Sequence, residues 1–451
     1  MVQQMNITEI CIKKFRSIDD GVIKFDSPVK VLIGPNGTGK TNLLLALRFL
    51  SSCINHSPVR AIQQAGGLDK VFTIRERRAK ELSFRITADV KRPRPHSRGV
   101  LNEKYGTIVY SFSLQFEETS KVLLVRSESL TLETVEDNLK RSIFSRKSDT
   151  KKTKIDSTMD SSQISGSSEL GEHVGNNELA LIRLFVLFDR SRMMINARAK
   201  SDIDYNPLFQ ITNVMGQVID ELSTIVAYNF DPSELRRSSD LLSAENMSYS
   251  GKGFSSLLQR LTTEKYFTRQ RFSQLPRSHH RENFFSQFAD IYKEILPFID
   301  NVEPNENIDT TSVELQFKEI QQLNTTRKFG TGHLSDGSLK FLAVVTTILL
   351  PNYGLMCVEE IENYLNPVAI RRLIDLMKDI ADSTGRKFLI TSHSETVLNA
   401  MDANDVIVSR RNRNGSTTYE KFNDLSKIQD AMEAGGLGLG YLWGRGGLDG
   451  F

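Results

Sequence analysis

The sequence predicts an α/β fold: a parallel sheet assembled from both ends of the chain, with an antiparallel β-subdomain and an inserted helical subdomain between them. Three observations predict it. A short apolar run at residues 29–33 meets a glycine-rich loop and then an apolar stretch at 42–51, as a buried parallel strand feeding a helix does. Residues 81–90, 107–116 and 121–132 alternate apolar and polar positions at period two, the pattern of antiparallel strands. Strand-like and helix-like segments alternate again up to about residue 408, as in a parallel sheet with crossover helices.

The composition bounds what this fold can be. The 451 residues carry 58 Lys+Arg against 55 Asp+Glu, a net charge of +3, with 39% hydrophobic residues. At roughly 100–200 residues per domain this suggests two to four structural units, and it excludes a chain disordered throughout. Cys11, Cys53 and Cys357 lie far apart, with neither metal-ligand nor disulfide spacing, which fits a reducing compartment. Residues 1–15 lack the apolar core of a signal peptide. The longest apolar run, 339–350, is shorter than the ~18–20 residues of a membrane span and contains Thr346 and Thr347. The expectation is a cytoplasmic protein without a membrane partner. A near-neutral charge argues against a dedicated nucleic-acid coat but leaves room for a local basic groove.

In chain order, residues 1–137 form an N-terminal lobe, with strands at 7–12 and 22–25 around the turn Ser17-Ile18-Asp19-Asp20-Gly21. Residues 138–177 shift to Ser, Lys, Thr, Asp and Gly and predict a disordered or mobile insertion, too apolar-poor to offset its ordering entropy. Its basic part, 140–154, could touch phosphates. Residues 178–310 read as a helical subdomain, with apolar spacing at Leu179, Ile182, Phe185, Val186 and Phe188, and again at Phe284, Phe285, Phe288, Ile291 and Ile295. A strand at 312–317 opens the C-terminal lobe, 311–451.

The chemistry-bearing residues lie in both lobes. Gly34, Pro35, Asn36, Gly37, Thr38, Gly39, Lys40 and Thr41 fit G-x-x-x-x-G-K-[ST] between strand and helix, and Asn42 follows. The glycines let backbone N–H groups turn inward around phosphate oxygens, and the helix starting at Lys40 adds its N-terminal dipole. Lys40 then reaches the β/γ-phosphates of ATP and the Thr41 hydroxyl ligates Mg²⁺. Residues 354–358 are an apolar strand ending in Glu359 and Glu360, one acid for the metal and one for the attacking water. Ser335 and Gly337, at the start of the apolar helix 339–350, make a second anion-binding helix terminus. A further strand, 388–392, ends at His393, within reach of a γ-phosphate.

The order P-loop, Leu334-Ser335-Asp336-Gly337-Ser338, Glu359-Glu360, Thr391-Ser392-His393-Ser394 resembles the ABC-type ATPase head of the non-transporter RecF/SMC-like branch. More closely, the chain resembles bacterial RecF-like AAA ATPases of phage-defence operons, similar to OLD-family heads without the Toprim nuclease. Tyr228-Asn229-Phe230-Asp231-Pro232 with Leu235-Arg236, Glu359-Glu360-Ile361-Glu362-Asn363-Tyr364-Leu365-Asn366-Pro367 and Leu437-Gly438-Leu439-Gly440-Tyr441-Leu442-Trp443 carry that likeness. The resemblance implies a P-loop NTPase fold and a composite site: ATP on Lys40 and Thr41 of one head meets Ser335 and Gly337 of another. It implies Mg²⁺ on Thr41 and Glu359, Glu360 as base, His393 as the γ-phosphate switch, and residues 363–366 at the dimer interface. Glu359 replaces the commoner Asp, Ile361 the usual Pro and Asn366 the frequent His; these bear on the rate of hydrolysis more than on nucleotide binding. Gln63, Gln64 and Gln115 all remain candidates for the family's active-site glutamine.

No Toprim signature follows: 58 residues come after His393, and Asp402 and Asp405 are not spaced as D-x-D. Residues 178–223 lack the sustained heptads of an SMC arm. The expected function is an ATPase that forms a homodimer or higher homo-oligomer on ATP and regulates a separately encoded effector, a nuclease in anti-phage defence. Alternatives are a nucleotide-sensing scaffold with little turnover and a RecF-like DNA repair ATPase. Two basic clusters offer surfaces for DNA or a partner: Arg75, Arg77, Arg78, Lys80, Lys91, Arg92, Arg94 and Arg98; and Arg269, Arg271, Arg277 and Arg281 with His279 and His280.

Overall fold

The structure, a computed structural model, describes residues 5–72, 80–93, 100–136, 140–148, 153–157, 174–198, 207–240, 247–262, 277–307, 312–320, 326–350, 353–422, 424–435 and 438–445. Its strands in chain order are β1 (Met5–Phe15), β2 (Ile18–Lys24), β3 (Val29–Ile33), β4 (Lys80–Pro93), β5 (Val100–Glu117), β6 (Val122–Thr134), β7 (Lys140–Ser148), β8 (Thr153–Ser157), β9 (Val226–Tyr228), β10 (Ser239–Asp240), β11 (Ile299–Asn307), β12 (Ser312–Ile320), β13 (Thr326–Gly330), β14 (Leu355–Val358), β15 (Lys387–Thr391), β16 (Val406–Arg411) and β17 (Thr417–Glu420). Thirteen of them form one sheet, ordered β8-β7-β6-β5-β4-β1-β2-β17-β16-β3-β15-β14-β9. The run β16-β3-β15-β14-β9 is parallel throughout. On the other side of β2, the strands from β1 to β8 pair antiparallel. A second, antiparallel sheet holds β10-β12-β11, with β13 also on β12.

Sequence and burial agree strand by strand. All five residues of β3 are buried, as a central parallel strand requires. Its one charge, Lys30, sends Nζ out to Asp26 at 2.5 Å and to the Asn404 carbonyl at 2.9 Å. In β1 the buried set runs Met5, Ile7, Ile10, Ile12; a bulge between Ile7 and Glu9 shifts the phase by one residue, so both halves face the core. One core lies where β1 and β4–β6 meet the helices Lys40–Asn55, Ala180–Arg198 and Pro207–Ser223. The other joins β3, β14 and β15 to the helices Phe254–Thr262, Arg277–Ile295, Asp336–Leu349 and Pro367–Thr384.

Two expectations change. The antiparallel strands are the continuation of the nucleotide-side sheet, and residues 140–148 and 153–157, inside the stretch expected to be disordered, are its last two strands. That stretch is polar because its polar groups serve one another. Fully buried Arg146 donates to Ser148 Oγ at 2.8 Å and the Gly175 carbonyl at 2.8 Å, and its Nη1 also reaches the Glu178 carbonyl. The described parts of 178–310 are likewise divided: 180–198 and 207–227 pack into the first core and lead into edge strand β9, whereas 254–262 and 277–295 pack against the second sheet and second core.

Candidate nucleotide site

The loop after β3 depends on left-handed backbone at Gly37 (φ 80°) and Gly39 (φ 101°). A Cβ on Gly34 would run into the Ser409 carbonyl, and one on Gly39 into Thr417 Oγ1. The loop carbonyls point toward β16 and β17. Arg411 Nη1 donates to Gly37 O (3.3 Å), Ser409 Oγ to Thr38 O (3.0 Å) and the Tyr419 hydroxyl to Gly39 O (3.0 Å). The helix Lys40–Asn55 starts with no side-chain cap and no acid in its first turn, so its leading N–H groups are open to an anion. Asn42 braces the helix through Nδ2 to Ser17 Oγ at 2.8 Å.

Lys40 folds across the loop, with Nζ 2.8 Å from Gly34 O and 3.2 Å from Pro35 O. Burial pushes its pKa down, while Glu360, Glu359 and Glu362 push the other way. Thr41 Oγ1 donates to Glu359 Oε1, joining the P-loop helix to the tip of β14 across 318 residues of sequence. Glu359 is buried, and its Oε2 accepts from Asn229 Nδ2 at 3.1 Å and from the Tyr249 hydroxyl. A hydroxyl and a carboxylate converging beside a phosphate loop are the hard oxygen donors Mg²⁺ takes when substrate phosphates complete its shell. Among the described residues no group of three or more His, Cys, Asp or Glu could hold a metal.

Glu360 sits at φ 44°, a rare conformation for a residue with a side chain. Four contacts hold it: its N–H donates to Thr391 Oγ1 (2.9 Å), Lys340 Nζ donates to its carbonyl (2.7 Å), and Asn363 Nδ2 donates to its Oε2 (2.5 Å), while the Asn363 N–H donates to its carbonyl (3.1 Å). His393 follows β15, two strands from β14's outer neighbour and directly beside this acid's anchor. Its N–H donates to Glu362 Oε1 at 2.6 Å. Partial burial and then the charge of Lys40 push the imidazole pKa down, against the pull of Glu362 and Glu360.

Ser335 is placed differently. It caps its own helix, its Oγ accepting the Ser338 N–H at 3.2 Å, and it remains exposed. Gly337 lies where a Cβ would meet the Tyr364 carbonyl, so the signature packs on the 360–366 loop. Thr41, Glu359, Glu360, Lys40 and His393 thus gather at one end of the parallel strands; Gly337 lies against the loop beyond Glu360, and Ser335 stays exposed at its helix start.

Sequence reasoning missed Asn229 and Tyr249. Of the glutamine candidates, Gln64 accepts from Ser52 Oγ and Gln115 pairs with Glu81 and Leu124 inside the antiparallel strands. An amide does reach the site, from Asn229 at the end of β9, next to β14 in the sheet. Position after an edge strand was the available signal. Arg75, Arg77, Arg78, Arg94, Arg98, Arg269 and Arg271 lie outside the described residues, so neither basic cluster is placed as a surface.

Comparison with known proteins gives a family, two local sequence likenesses and two structures that align over most of the chain. The family described as "AAA domain, putative AbiEii toxin, Type IV TA system" matches residues 29–166 and 231–399. A stretch of 55 residues is 49% identical to the DNA replication and repair protein RecF of Porphyromonas gingivalis, covering 12% of this chain and 15% of that protein. Another RecF, from Natranaerobius thermophilus, is 38% identical over 52 residues, 12% of this chain and 14% of that one. The SmcHead bound to the C-winged helix domain of ScpA aligns over 92% of this chain and 97% of its own, at 12% identity and a TM-score of 0.49. The SMC head domain from Thermotoga maritima aligns over 93% and 100%, at 12% identity and a TM-score of 0.40.

Proposed function

The chain belongs to this AAA-domain family, and on that premise we propose that it is an ATPase of the RecF/SMC type that binds and hydrolyses ATP with Mg²⁺, dimerises on the nucleotide and so regulates a separately encoded effector, a nuclease in an anti-phage pair. The observation that carries the reading is the meeting of Thr41 and Glu359, with Lys40, Glu360 and His393 around it. The glycine-rich loop and the uncapped helix terminus bind the phosphates; Lys40 exchanges two loop carbonyls for phosphate oxygens. When bound, Mg²⁺ neutralises charge on the β- and γ-phosphate oxygens, and Thr41 and Glu359 are the residues that hold it. Glu360 orients the attacking water and takes its proton, and His393 offers an imidazole N–H to the γ-phosphate side.

Two features support dimerisation. Ser335 is exposed and bonded within its own helix, and Tyr364 (59%) on the loop against Gly337 and Val368 (64%) at the start of the helix Pro367–Thr384 are exposed large apolar groups suited to a partner head. The family description's reference to a toxin–antitoxin system supports a second protein as effector. Phosphate release is the test: Lys40→Ala abolishes it with loss of ATP binding, while Glu360→Gln lowers it about 10²–10⁴-fold with binding kept. Turnover surviving either change overturns the assignment. Copurification of the neighbouring gene's product, with and without ATP, tests the effector. A scaffold that senses ATP with little turnover is the second reading, favoured by the tie between Glu360 and Asn363; tight ATP binding without phosphate release identifies it.

A further inference from the structure

The metal-side acid is a glutamate, with one more rotatable bond than aspartate, and a carboxylate that swings cannot hold a small octahedral ion well. Three neutral donors fix Glu359: Thr41 on one oxygen, and Asn229 and Tyr249 on the other. Tyr249 comes from a tight loop of its own. Gly251 (φ 93°) and Gly253 (φ 92°) turn the chain, and Ser248 N–H donates to Lys252 O at 2.9 Å. The loop is laid along the end of β9: Asn229 N–H donates to Tyr249 O at 2.8 Å, and Asp231 N–H to Ser250 O at 2.9 Å. From the other side Arg48, on the P-loop helix, places its guanidinium 5.4 Å from the Tyr249 ring centroid. The ring is therefore clamped between the P-loop helix and β14, with its hydroxyl aimed at the one carboxylate that faces Thr41.

We propose that Tyr249 is a positioning residue for the metal–nucleotide site: its hydroxyl locks the longer Glu359 side chain with Oε1 toward Thr41, so that Mg²⁺-bound ATP is held and metal-free ATP is indifferent to it. The inference deepens the ATPase reading and rests on it. Partners of this kind typically account for 10–100-fold in metal affinity.

The test is a Mg²⁺ titration of the full chain holding a fluorescent, non-hydrolysable ATP analogue, with the analogue's affinity in EDTA and the thermal midpoint measured alongside. Tyr249→Phe keeps the ring and its stacking on Arg48. It is expected to move the Mg²⁺ midpoint 10–100-fold higher while leaving the affinity in EDTA and the thermal midpoint in place. In a Glu359→Asp background, whose carboxylate is withdrawn from Tyr249, the same change is expected to have no further effect. An unchanged Mg²⁺ midpoint in Tyr249→Phe overturns the inference, as does an equal loss of affinity in EDTA. Failure of the wild-type chain to bind the analogue at all overturns the ATPase reading instead.

Discussion

Lys340 shows what one residue does between two motifs. It lies on the signature helix, fully buried, and donates to the carbonyl of Glu360, with the Tyr364 ring centroid 6.0 Å from its Nζ. Burial brings its pKa down to about 8 from the ordinary 10.5, against the pull of Glu362 and Glu360. Between those two values the folded chain binds fewer protons than the unfolded one, so stability rises with pH there; below about 8 the whole cost of a dry ammonium is present. Thermal midpoints of wild type and Lys340→Met, compared at pH 7 and pH 10, are expected to move in favour of wild type at the higher pH. A constant difference would show the charge to be solvated. The same variant leaves the Glu360 carbonyl with the Asn363 N–H alone and is expected to slow phosphate release. Residues like this were only half legible: Lys40 and Thr41 stand in a local motif, whereas Asn229 and Tyr249 reach Glu359 over 130 and 110 residues of sequence, and no spacing rule connects such positions.

At the scale of elements, the antiparallel strands were legible from alternation, and β7 was hidden because its inward side chains are Arg146 and serines as well as Ile143 and Phe144. Glu128 on β6 accepts the N–H groups of Ala180 (2.6 Å) and Leu181 (2.9 Å) and the Tyr110 hydroxyl (2.9 Å), with Arg146 at 3.9 Å. One buried acid thus serves as the cap of the helix Ala180–Arg198. Burial pushes its pKa up, against those two N–H groups, Arg146 and Tyr110. Arg146→Met leaves that acid without its cation and is expected to cost about 3–5 kcal/mol, read from denaturant midpoints, with ATP affinity unchanged. Gly337→Ala acts on a different element. Its Cβ meets the Tyr364 carbonyl, an overpacking of about 1–3 kcal/mol, and the displaced signature helix is expected to lose ATP-driven association while the fold persists in circular dichroism.

For the whole molecule, the prediction concerns assembly. Light scattering of Glu360→Gln with ATP is expected to give twice the monomer mass, and Ser335→Arg to hold the chain at monomer mass while it still binds ATP. A dimer that ignores both ATP and Ser335→Arg would refute the composite site. The sheet explains why both lobes are needed, and why the division of the chain into units could not be read from composition: the helices Ala180–Arg198 and Pro207–Ser223 cover the first core and are followed by a sheet strand. No helix among the described residues is long and apolar enough to cross a membrane. The placing of β3 also sets a timetable. Its two neighbours, β15 and β16, are made more than 350 residues after it, and the groups that bind the P-loop carbonyls, Ser409, Arg411 and Tyr419, come later still than β15. At about 5–20 residues per second of synthesis, the growing chain spends tens of seconds with its phosphate loop unsupported. Pairing so distant in sequence is slow to form. A chain stalled before residue 409 carries every P-loop residue yet lacks all three side chains that hold the loop's carbonyls.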